Sequence, residues 1–200
     1  MANFKVRDEY FRVAQRHLAV CKELQERIEV FEKKEKSNSS LSESEILLKH
    51  QLLCDLYYLA GYVIECTYCM VIFHHFPNID EKKLLVAQAN SVGINNISFK
   101  KLTNKNDTQQ ETFVIVDSNH RLNLFKKVFT PDYLNIENPI RENLFERPEC
   151  KNLFHQYEAE VRYAKTELPI LKKHIKVEKI FKLLEAAEIN FKNCNAYHPR

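Results

Sequence analysis

Glycine is scarce in this chain of 200 residues, which contains only two glycines and six prolines. Sheet proteins use Gly, Asn and Pro in their many turns, so this scarcity argues against a sheet-rich architecture. Leu, Lys, Glu and Ala are abundant instead, which predicts an all-α fold. Residues 1–200 fit a single domain by length, and we find no internal repeat or second boundary.

The chain also lacks a strong charge of one sign, since a net charge of +3 does not require a polyanionic partner. It lacks the basic, apolar and small-residue regions of a signal peptide, which predicts a cytoplasmic protein. Its six cysteines lie mostly in apolar helical patterns, so we expect reduced thiols. No phosphate loop, Gly-x-Ser-x-Gly elbow or His-Glu-x-x-His pair occurs, and we expect no cofactor.

Two long helices are predicted in the N-terminal part of the chain. Apolar residues at spacings of three and four predict the first helix over residues 8–36. After a polar break, Ser42 followed by Glu45 predicts a capping box at the start of the second helix. This helix should run to about His75, because Pro77 cannot continue it.

The remaining chain is predicted to be helical on both sides of a long irregular connection. That connection covers residues 91–118, where Asn, Lys, Ser and Thr dominate. Within it, residues 113–116 form either a short strand or an apolar clip onto the bundle. Helices are expected at about 80–90, at 119–129 and, with a break near Pro169, over 149–193.

One carboxylate, that of Glu65, lies in the middle of the apolar second helix. An ionised carboxylate in a bundle core is costly unless a cation or several donors meet it, so we expect Glu65 to have a partner. Gly61 costs about 1 kcal/mol of helix propensity relative to Ala, which another helix approaching its backbone closely would explain. Residues 56–76 are long enough to span a bilayer, but Glu65 and two histidines favour a buried bundle helix without membrane contact.

Three segments occur in an order that points to one family. They are AGYVIECTY at 60–68, SNHRLNLF at 118–125 and EAEVRY at 158–163. Their order and character resemble the HEPN superfamily, whose members are helical bundles of prokaryotic nucleotide-binding and RNA-targeting proteins. The resemblance implies an up-and-down helical bundle, a homodimer, and an RNA- or nucleotide-associated role in bacterial stress, defence or toxin–antitoxin systems. Some relatives instead act as non-catalytic modules that pair with a separately encoded nucleotidyltransferase.

The resemblance implies a polar cleft formed by Glu65, His120, Arg162 and Tyr163. Independently of it, Arg162 is the best partner for Glu65, because a guanidinium pairs with a carboxylate bidentately. The pair serves either as a buried ion pair that sets helix register or as part of a cleft that meets RNA or a nucleotide.

Whether the chain is an enzyme stays open. HEPN ribonucleases carry an Arg-x4-6-His signature, whereas Arg162 is followed by no histidine until His174. Arg12 and His17 have the right gap but lie on the first helix, where the expected arrangement is a surface arginine beside a partly buried histidine.

Two further groups of residues have alternative interpretations. Cys66, Cys69, His74 and His75 have zinc-like types, but they occur mid-helix and at its end, so we expect buried thiols and no metal. Basic residues in and after the connection are either a solvated surface or contacts to single-stranded RNA: Lys100, Lys101, Lys105 and Arg121.

Overall fold

A computed structural model describes residues 5–37, 39–91, 97–103, 109–115, 122–123, 125, 138–157 and 176–197. Over these residues the protein is mainly helical, which confirms the predicted fold class at that level. In chain order the elements are α1 (Lys5–Lys36), α2 (Glu43–His75), α3 (Ile79–Ser91), β1 (Ile97–Thr103), β2 (Gln109–Ile115), a 3-10 turn (Glu142–Leu144), α4 (Lys151–His155), α5 (Val177–Asn193) and a second 3-10 turn (Cys194–Tyr197).

Helices α1 and α2 form an antiparallel hairpin that carries about half of the buried hydrophobic residues. Arg7 near the start of α1 contacts His74 near the end of α2, and Lys34 near the end of α1 contacts Glu45. From Cys66 to Phe73, every residue of α2 is buried, so this part of the helix is the centre of the bundle. Of the described helices, only α2 is long and apolar enough to cross a membrane, and 78% of its most apolar window is buried inside the protein.

The other side of the hairpin is covered by α5. Its apolar residues recur at spacings of three and four and are buried: Ile180, Leu183, Leu184, Ala187 and Phe191. Phe191 stacks on Phe11 of α1 with ring centroids 5.2 Å apart. The predicted helical pattern at the C-terminal end therefore packs as expected.

The predicted capping box at the start of α2 is present. The Glu45 backbone N–H donates to Ser42 Oγ at 3.3 Å, and the Ser42 N–H donates to Glu45 Oε2 at 2.8 Å. Lys34 Nζ lies 2.7 Å from Glu45 Oε1, which ties the end of α1 to the start of α2. The hydrogen bond from Lys34, followed by those from Ser42, lowers the pKa of Glu45 to about 2.

We expect Ser42→Ala to lower the free energy of unfolding by about 1 kcal/mol, because it removes the side-chain half of this cap. Urea denaturation of the two proteins measures the difference. Ser40→Ala is the matched control, because Ser40 is an exposed serine just outside the helix. An equal loss in both variants would contradict a specific contribution from the cap.

The prediction of an irregular connection over residues 91–118 is wrong for two segments, which form strands. Strands β1 and β2 pair antiparallel, with Ile97 opposite Ile115 and Phe99 opposite Phe113 in the register. Branched and aromatic residues of this kind favour strands, and their pairing outweighs the polar residues on which the loop prediction depended. The suggestion of a strand near residues 113–116 is confirmed for the part up to Ile115.

The prediction of continuous helix from residue 149 to a break at Pro169 is also wrong at its beginning. Helix α4 ends at His155, and Tyr157 lies outside any helix. Tertiary packing of Tyr157 accounts for this early end. Pro169 lies outside the described residues, and of the helix predicted at 119–129 only positions 122, 123 and 125 are described, all helical.

Candidate functional site

Glu65 lies at the end of the partly exposed face of α2, at the point where the helix becomes buried on all sides. Tyr58, Tyr62 and Glu65 are spaced by four and three residues, which places them on one face of the helix. All three are partly exposed, whereas the residues after Glu65 are buried all round the helix. The Glu65 Oε2 atom is itself buried. The carboxylate is therefore held at the boundary between the core and the surface.

The ring of Tyr157 lies directly on Gly61, one turn before Glu65. A methyl group added at Gly61 would be 1.9 Å from Tyr157 Cε2 and 2.3 Å from Cζ. A close approach to Gly61 was predicted, but the approaching group is an aromatic ring instead of a helix backbone. Only glycine leaves room for the ring at this distance.

Tyr157 is held in place by contacts on two sides. Its hydroxyl donates to the Tyr58 carbonyl oxygen at 3.0 Å, and its ring meets Tyr57 edge-on with centroids 5.6 Å apart. The Tyr57 hydroxyl donates in turn to the Leu153 carbonyl oxygen of α4 at 2.7 Å. These bonds join α4 and Tyr157, two residues after its end, to α2 around the turn that precedes Glu65.

The open side of this turn is bordered by an aromatic group that includes a histidine from α1. Tyr58 and Tyr62 lie with ring centroids 5.9 Å apart, and His17 meets Tyr62 edge-on at 5.1 Å. We call His17, Tyr58 and Tyr62 the aromatic face. Burial, followed by the charge of Arg16, lowers the pKa of His17. His17 is therefore neutral at pH 7, with two ring nitrogens of unlike character.

The hydroxyls and thiols that the structure describes around Glu65 keep their protons at neutral pH. Burial raises the pKa of Tyr62 to about 12, and the charge of Glu65 adds to this shift. The same two causes raise the pKa values of Tyr157, Cys66 and Cys69. These hydroxyls and thiols keep their protons, so they can donate hydrogen bonds and present π surfaces but do not act as anionic nucleophiles.

Of the four predicted cleft residues, the structure describes only Glu65. His120, Arg162 and Tyr163 lie outside the described residues, as do Lys105 and Arg121. The predicted pairing of Glu65 with Arg162 therefore stays a prediction. Lys100 and Lys101 lie in strand β1, opposite Thr112 and Glu111 in the register.

The aromatic face and Tyr157 were not predicted from the sequence. Tyr58 and Tyr62 have a visible signal, because they share helical spacing with Glu65. His17 and Tyr157 are distant in sequence and are brought to the turn by packing. For Tyr157 the only signal is indirect, namely the missing side chain at Gly61.

The two other sequence-level candidates behave as ordinary structural groups. Arg12 is exposed while His17 is half-buried against Tyr62, as the surface interpretation of that pair expected. Cys66 and Cys69 are buried thiols in the core of α2. Across the described ranges, no three His, Cys, Asp or Glu side chains come together in a way that would hold a metal ion.

The chain matches no protein-family model, no curated protein and no solved structure.

Proposed function

We propose that this chain is a HEPN-like module of a bacterial stress, defence or toxin–antitoxin system that binds RNA or a nucleotide in the cytoplasm as a homodimer. The observation that carries the proposal is the aromatic face beside Glu65, at the motif from which the family resemblance begins. Its rings are partly exposed and lie on rigid helices, and unpaired bases stack on such rings without regard to sequence. The exposed Arg16 precedes His17 and supplies a cation for a neighbouring phosphate.

Tyr62 is the residue that tests RNA binding most sharply. We expect Tyr62→Ala to weaken binding of labelled transfer or messenger RNA by roughly 5- to 100-fold, which corresponds to the loss of one stacked base. Tyr62→Phe keeps the ring and loses only the hydroxyl, so it should bind nearly as tightly as the native chain. Fluorescence anisotropy measures binding, and far-UV circular dichroism confirms that both variants are folded. Equal affinities for Tyr62→Ala and the native chain would contradict the proposal.

Cleavage is scored in the same reactions with Arg162→Ala and His120→Ala. Cleavage that these variants abolish, with folding intact, would make the chain a nuclease with a non-standard site. Lys83→Ala is the control for a general loss of positive charge, because Lys83 is exposed and distant in sequence from the aromatic face.

The second candidate function is a non-catalytic interaction module that pairs with a separate nucleotidyltransferase. It is favoured by the state of the groups around Glu65, because the described hydroxyls and thiols there are protonated at neutral pH and offer no ready nucleophile. The departure of Arg162 from the ribonuclease signature supports the same conclusion. A protein that neither binds nor cleaves RNA would leave this function as the better account.

A further inference from the structure

His50 and Cys54 form a pair of metal-ligand side chains on α2, one turn apart and far from Glu65. Their spacing of four residues places them on the same face of the helix. Cys54 Sγ lies 3.8 Å from His50 Nδ1, and both residues are partly exposed. A thiolate and an imidazole are the ligand types that zinc and similar divalent metals prefer.

The separation of the two atoms is close to that required by a shared metal ion. Zinc–sulfur and zinc–nitrogen bonds of about 2.3 and about 2.0–2.1 Å at a tetrahedral angle place the two ligand atoms about 3.6 Å apart. The observed distance of 3.8 Å departs from this by about 0.2 Å, so the helix presents the pair without a backbone rearrangement.

Among the described residues, one chain supplies two ligands at this place, and a closed structural zinc site needs four. The surface immediately before the pair is unusually apolar. Ile46, Leu47 and Leu48 are 55%, 49% and 37% exposed, and they are three of the six large hydrophobic side chains that the described residues expose. Ile46 and Leu47 lie on the face of α2 shared with the pair, and contiguous exposed apolar surface marks interaction sites.

We propose that His50 and Cys54 are half of a zinc-type divalent-metal site, completed by the same pair of a second copy across a two-fold axis beside this turn of α2. A two-fold axis repeats the same patch on both subunits, so it converts two ligands into the four of a Cys₂His₂ tetrahedron. The same contact covers Ile46 and Leu47, which lie on the face of α2 that carries the pair. The inference rests on the homodimer in the proposed function and is independent of RNA binding.

Metal binding at this site is coupled to the loss of a thiol proton. As each sulfur–metal bond forms, the S–H bond breaks and its proton passes to the solvent. Binding therefore strengthens as the pH rises.

Titration of the reduced full-length chain with Co²⁺ tests the proposal, because thiolate-bound tetrahedral cobalt has charge-transfer and visible absorption bands. We expect these bands to saturate at one cobalt per two chains and to disappear on addition of Zn²⁺. Sedimentation velocity should show a dimer in the loaded sample. Cys54→Ser should lose the sulfur charge-transfer band, and His50→Asn should lose the tetrahedral visible bands. Both variants should weaken dimerisation.

His17→Asn is the matched control, because His17 and Cys21 have the same spacing as the proposed pair. Cys21 is fully buried, so His17→Asn should leave the cobalt spectrum unchanged. Absence of the bands, their survival in Cys54→Ser, or saturation at one cobalt per chain without dimerisation would each overturn the proposal. RNA binding measured with and without a chelator is a separate readout, so failure of the metal site is distinguishable from failure of the proposed function.

Discussion

Replacing Gly61 with alanine should destabilise this protein by about 3 kcal/mol, although alanine is the better helix former by about 1 kcal/mol. The added Cβ would lie 1.9 Å from Tyr157 Cε2, so the ring or the helix must move by more than an ångström. Overpacking of this kind typically costs about 1–3 kcal/mol, and occasionally more when the neighbour has no space to enter.

The ring of Tyr157 has no such space. Both Tyr157 and Tyr57 are fully buried, and moving the Tyr157 ring breaks its hydrogen bond to Tyr58 as well as its edge contact with Tyr57. Loss of one such hydrogen bond adds about 1 kcal/mol. The strain and the broken bond together outweigh the gain in helix propensity.

A double-mutant cycle with Tyr157→Ala makes this prediction sharp. Tyr157→Ala removes the ring and is itself destabilising, but in its background the atoms nearest the added methyl group are gone, so Gly61→Ala should stabilise the protein by up to about 1 kcal/mol. The effect of the same substitution therefore reverses sign. Urea denaturation of the native chain, the two single variants and the double variant gives the free energy of unfolding of each. A neutral or stabilising Gly61→Ala in the native background would show that the ring does not lie on this glycine in solution.

The parts of the fold that follow from local rules were predictable from the sequence. Ser42, Glu45 and Pro77 define α2 through capping and the missing proline N–H, and they act within a few residues of the helix ends. The missing side chain at Gly61 indicated a close contact, because glycine in a helix is unfavourable without a compensating reason.

The parts that depend on distant residues were not predictable. Nothing near Tyr157 in the sequence indicates that the chain leaves the helix there, because the cause is the space above Gly61 nearly a hundred residues earlier. The β1–β2 pairing likewise depends on a register between two segments, of which only the end of the second, Phe113 to Ile115, suggested a strand by itself. At the candidate site, Glu65 was found from its burial cost, whereas His17 was brought to it by the packing of α1.

The second large effect is a loss of stability at mildly acidic pH, caused by His74. The Arg7 guanidinium donates from Nη1 to His74 Nδ1 at 3.3 Å, which requires an unprotonated nitrogen on the imidazole. Arg7 is only 3% exposed, and the rings of His75 and Tyr197 pack against His74 from the same helix and from the C-terminal turn. Burial, followed by the charges of His75 and Arg7, lowers the pKa of His74 from 6.5 to about 4.

The sign of the effect follows from the direction of this shift. Because the folded-state pKa is below the unfolded value, the unfolded chain binds the proton more tightly, and protonation favours unfolding. The contribution of His74 is complete above about pH 6.5 and is lost as the pH falls from there toward about 4. The lowered pKa of His17 acts in the same direction. Glu45 and Glu188 act similarly but only below their ordinary pKa near 4.5, so the interval between about pH 7.5 and 5 isolates the histidines.

Over that interval we expect His74 to reduce the free energy of unfolding by about 1 kcal/mol, after allowance for the part of its ring that meets solvent. Urea denaturation at the two pH values measures the loss. His74→Asn keeps an acceptor for Arg7 near the position of Nδ1 but does not titrate, so it should lose much less stability on acidification than the native chain. Arg7 has an acceptor in both proteins at neutral pH. The difference between their free energies of unfolding at low pH is therefore due to the proton that His74 binds. If His74→Asn lost as much free energy of unfolding on acidification as the native chain, other groups would cause the acid sensitivity. That result would contradict the role of the Arg7–His74 contact.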